Sequence, residues 1–203
     1  MAAARAFQSY TAWAAATGTA WALLVGVSLG LAARDPAQDL RHPAVVVTAW
    51  GFVGAWAVAG GLMLRARPGD WAPPGDPVRL ARLAWTLGLA THAVHVVLAF
   101  GLAHGWSHAA AVRHVAAAGG FGEGIVVSYL FAATWAGDAA WWWANPHGYA
   151  KRPRRVRYAV HGFLAFVTFN ATVVFGTPWA QVAGAAAFVA LAVLWRRPAN
   201  GFK

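Results

Sequence analysis

The chain has 203 residues, 60% of them hydrophobic, with thirteen Trp, six carboxylates and a net charge of +10. Charged residues make up 11%, against roughly 25% in a soluble domain of this length, and no polar stretch is long enough for a separate soluble domain. With no cysteine, disulfides, thiolate metal sites, iron–sulfur clusters and thioether-linked haem are excluded.

Apolar windows near the roughly 20 residues that cross a bilayer recur along the whole chain. They predict an all-α, polytopic integral membrane protein, one transmembrane domain over 1–203, with helices at about 10–33, 44–64, 80–103, 119–143, 156–175 and 179–195. The first helix ends in Leu31-Ala32-Ala33, faintly like a signal-peptidase site, but its apolar run is too long for an ordinary signal core and is read as a retained helix. A polar link, 34–43, and a loop over 65–79 rich in Pro and Gly flank the second helix. The third helix carries His92 and His95, and a histidine-rich link with His104, His108 and His114 follows it. The fourth opens in Gly119-Gly120-Phe121-Gly122-Glu123-Gly124 and closes on Trp141-Trp142-Trp143, read as an interfacial aromatic belt before the Asn145-Pro146 stop. The basic cluster Lys151, Arg152, Arg154, Arg155 and Arg157 precedes the fifth helix, and Gly176-Thr177-Pro178 turns the chain into the sixth.

With the N-terminus inside, thirteen Lys and Arg fall on inner segments and three (Arg34, Arg41, Arg113) on outer ones. That asymmetry predicts both termini in the cytoplasm of a bacterial-type inner (plasma) membrane. It also gives the net charge a topological origin, at helix ends against anionic lipid, so no nucleic-acid partner is expected.

Ionisable residues inside a span mark a functional site by default, because an unpaired one in hydrocarbon costs several kcal/mol. His92 and His95 stand at i and i+3 and share a helix face. At 1.5 Å per residue they lie roughly 15 and 20 Å above Arg82, near or beyond the midplane. By depth, His95, Glu123 and Asn170 can form an outer-level group, with His92 at its lower edge, and Asp138 and His161 are expected to pair at the inner level.

Three chemistries are open to these residues. A b-type haem needs an axial imidazole from each of two facing helices, and His92 or His95 with His161 is the available pair. A non-haem iron, copper or zinc ion could use His92, His95 and Glu123. Or the polar core, Asp138, His161 and Asn170 included, carries ions or protons or simply pairs within a larger membrane complex, with no cofactor. The outer histidines His104, His108 and His114 read as solvated, with a surface metal as their alternative.

Residues 35–42, Asp-Pro-Ala-Gln-Asp-Leu-Arg-His, the run Arg79 to His95 and His161 together resemble the ferric-reductase-like transmembrane cytochromes b. The resemblance covers helices two to five and implies six helices, haem-ligating histidines on helices three and five, and electron transfer as the role. A second histidine expected near 174–175 is replaced by Val174 and Phe175, so one haem is implied. The expectation is thus a small redox subunit carrying one b-type haem that passes electrons between a quinol or inner-side donor and an acceptor, or else a non-catalytic or ion-conducting subunit of a membrane complex.

Overall fold

A computed structural model describes residues 2–35, 41–71 and 74–196, with side chains from Tyr10 onward. Residues 36–40, part of the link that carries the family resemblance, and the C-terminal basic residues Arg197 and Lys203 lie outside the described residues. Eight α-helices are present among those described: α1 (Ala2–Arg34), α2 (Pro43–Arg65), α3 (Asp76–Leu98), α4 (His108–Gly119), α5 (Ile125–Ala144), α6 (Pro146–Ala150), α7 (Arg154–Phe169) and α8 (Pro178–Arg196). π-Helical turns extend α3 over Ala99–Ala103 and α7 over Asn170–Val174.

The expected six spans are present only in part. Tyr10–Arg34, Pro43–Arg65, Asp76–Ala103 and Pro178–Arg196 are each long and apolar enough to cross a membrane. His108–Gly119 and Gly122–Ala144 qualify only together, bent by 107°, because Gly120 at φ 87° ends α4 in a left-handed cap that favours glycine. The helix expected from 119 therefore begins at Ile125. The α7 segment, 16 residues long with Arg154, Arg155 and Arg157 in its first turn, is not among the helices that qualify. α3 starts four residues earlier than expected because Pro77 falls in its first turn, where a missing N–H costs nothing.

The chain forms two compact units, one ending at Ala103 and the other beginning at His104. In the first, α2 packs against α3 and α1 joins both. Gly51 permits the approach: a Cβ there would stand 2.8 Å from Leu24 of α1 and 3.1 Å from Thr91 of α3. Trp21 donates from its indole to Thr91 Oγ1 (3.0 Å), tying α1 to α3. In the second unit α5 packs on α7, and α8 closes on the π-helical turn, where a Cβ at Gly184 would lie 2.6 Å from Thr172 Oγ1. Small residues at such crossings let backbones meet where lipid gives no hydrophobic drive for association.

Candidate functional site

The most completely bonded polar cluster lies where α5, α6 and α7 meet. Phe131, Trp135, Asp138 and Trp142 recur at helical spacing along one face of α5 and are all buried. The aromatic belt expected at 141–143 is thus divided: Trp142 is core, and Trp143 remains 53% exposed. The chain then reverses at Asn145, whose side chain accepts from Gly148 N (2.7 Å) while Pro146 opens α6. This single-turn helix brings Tyr149 and, just past its end, Arg152 back against α5.

Asp138 has both oxygens occupied. Arg152 Nη1 donates to Oδ1 at 2.7 Å, and the Tyr149 hydroxyl donates to Oδ2 at 2.9 Å. The other arm of Arg152 reaches α7, where Nη2 donates to His161 Nε2 at 2.7 Å. The guanidinium lies 3.6 Å from the centroid of the Tyr149 ring, and that ring stacks on Trp142 at 4.4 Å and 6°. Burial first, then the Asp138 charge, push the Tyr149 phenol well above its ordinary value of 10.0, so it stays the donor. Asp138 and Arg152 are about 95% buried, and a buried ion pair holds only when its hydrogen bonds are completed in this way.

Asp138 and His161 therefore reach one guanidinium, and Arg152 bridges them. Asn170 is elsewhere: its Nδ2 donates to Phe166 O (2.8 Å), one turn back in its own helix. Sequence reasoning missed Arg152 and Tyr149. Arg152 sits in a run of five basic residues that reads as a topology signal; the hint was that Pro153 and the Asn145-Pro146 stop force this short segment to fold back.

The α3 histidines occupy the first unit. His95 Nδ1 lies 3.1 Å from Val45 O and 3.3 Å from Thr48 Oγ1, near the start of α2. The carbonyl can only accept, so Nδ1 carries the proton and Nε2 keeps its lone pair. His92 is buried, edge-on to Phe52 at 4.9 Å, with its ring 6.4 Å from that of His95. His42, the last residue of the 35–42 segment quoted for the family resemblance, is a buried cap: Nδ1 accepts from Ala44 N and Nε2 donates to Asp35 O.

Tested against a haem, these residues divide. His95 fits an axial ligand, since a metal-binding imidazole characteristically donates its other N–H to a carbonyl. His161 as placed does not fit, because Arg152 occupies the nitrogen that would bind iron. Glu123 is exposed on the turn Gly122–Gly124 of the second unit, and among the described residues no group of three or more His, Asp or Glu is placed to hold a metal.

The fold and its apolar helices define the class, a multi-pass α-helical membrane protein. The chain matches no family model, no curated protein and no solved structure. The likeness to ferric-reductase-like cytochromes rests on the residues quoted for it alone.

Proposed function

We propose that the chain is a small, non-catalytic subunit of a larger complex in a bacterial-type inner membrane, with six spans and both termini cytoplasmic. The observation that carries this reading is the Arg152 clamp. Its bonds to Asp138 and His161, with that of Tyr149 to Asp138, satisfy the buried charge from within the chain, as a brace requires and a ligand site does not. The clamp also speaks against proton passage. A guanidinium does not release its proton in a protein, so the Arg152 bridge itself does not relay protons between Asp138 and His161. The α7 segment completes six spans in this reading because its arginines lie at one end, where they can extend to the membrane surface.

A second reading is supported by His95: a redox subunit that carries electrons through one b-type haem, with His95 the helix-three ligand. Its fixed tautomer leaves Nε2 available. Such a group would supply one-electron carriage, and the bond from Arg152 to His161 would have to open before α7 could contribute a ligand.

An absorption spectrum and metal analysis of the purified protein separate the two. The brace reading expects no Soret band, no stoichiometric metal, other membrane proteins co-purifying in mild detergent, and His161→Ala destabilised without spectral change. A Soret band and sharp α band, lost in both His95→Ala and His161→Ala, would replace it with the redox reading.

A further inference from the structure

The second unit holds another pair of imidazoles, beyond the last residue of the Asp76–Ala103 span. By spacing, His104 and His108 are the natural partners. The fold pairs them otherwise. Gly105 (φ 54°) and Trp106 (φ 60°) both adopt left-handed backbone, a conformation that an L-residue with a side chain resists. Trp106 is 68% exposed, so its own packing does not account for it. What the turn accomplishes is a reversal: Ser107 N donates to His104 O at 2.9 Å, and Ser107 Oγ then caps α4 by accepting from Ala110 N at 3.2 Å. His104 is laid against α4, its ring centroid 5.5 Å from that of His114 with the planes at 43°. His108 is used differently, its Nδ1 2.8 Å from the Tyr129 hydroxyl. Strained backbone that positions a side chain is a pointer to function.

We propose that His104 and His114 form a two-imidazole site for a borderline divalent transition-metal ion, Cu2+ above all, with water filling the remaining positions. The spacing suits this chemistry. Metal–nitrogen bonds of about 2.0–2.1 Å place two ring centroids roughly 4.5 Å apart at the right angle that tetragonal Cu2+ prefers and roughly 5 Å apart at a tetrahedral angle, so the two rings must close up to share an ion. Arg113 adjoins His114 in sequence, but neighbours at i and i+1 do not share a helix face.

The test uses the full chain without a histidine tag, in detergent micelles, titrated with Cu2+ against a chromophoric chelator and followed by electron paramagnetic resonance. One Cu2+ per chain with two nitrogen ligands is expected. Affinity should fall at least about tenfold in His104→Ala and in His114→Ala, as for loss of a metal-supporting group, and be unchanged in His108→Ala and His95→Ala. Cu2+ should bind more tightly than Ni2+ or Zn2+, and Mg2+ should not compete. Binding that survives both His104→Ala and His114→Ala, or that is abolished by His108→Ala or His95→Ala alone, would overturn the site.

Discussion

Arg152 shows how far one side chain's role depends on where the backbone returns it. Among Lys151, Arg154, Arg155 and Arg157 it is chemically ordinary, yet it alone of these is buried and joins α5 to α7. Removing it should leave Asp138 as a buried, unpaired carboxylate. Arg152→Ala is therefore expected to destabilise the protein by about 3–5 kcal/mol, and Asp138→Ala/Arg152→Ala by less than the sum of the single changes. Coupling between Asp138 and His161 should be present in the wild type and vanish in an Arg152→Ala background. Denaturant titration followed by Trp fluorescence reads all of these, and coupling that persists without Arg152 would show a direct link between the two.

At the scale of elements, the second unit depends on close approach as much as on polar bonds. α8 is apolar on nearly all sides and mostly exposed, and its described burial is at Gly184. There it meets the π-helical turn of α7, whose Thr172 Oγ1 donates back to Thr168 O at 2.8 Å. Gly184→Leu should wedge this crossing and cost about 1–3 kcal/mol by overpacking. Gly137→Leu, at a position with nothing within 4 Å of a Cβ, should be near neutral. Thermal unfolding in one detergent gives the comparison, and equal effects at the two sites would remove the close-contact argument.

For the molecule as a whole, topology is the property most open to a direct test. The thirteen-to-three basic asymmetry expects reporter fusions after residues 72 and 150 to report cytoplasm, and one after residue 110 the outer side. A fusion after 150 that reports the outer side would remove six spans and cytoplasmic termini together. The bend between α4 and α5 makes this measurement decisive, since only their joint length and composition qualify as a span.

The all-helical membrane class was legible in the sequence, because hydrocarbon demands long apolar helices and the pattern is local. So was the prominence of Asp138, His161 and the α3 histidines, since ionisable groups in apolar runs stand out wherever they fold. The partners were not legible. That Arg152 bridges Asp138 and His161, that Trp142 is core and not belt, and that His104 faces His114 and not His108 all follow from chain reversals at 145–149 and 105–107. A reversal decides which residues distant along the chain become neighbours, and helical periodicity does not extend across it. Only the tertiary structure could therefore assign the buried charges to one another.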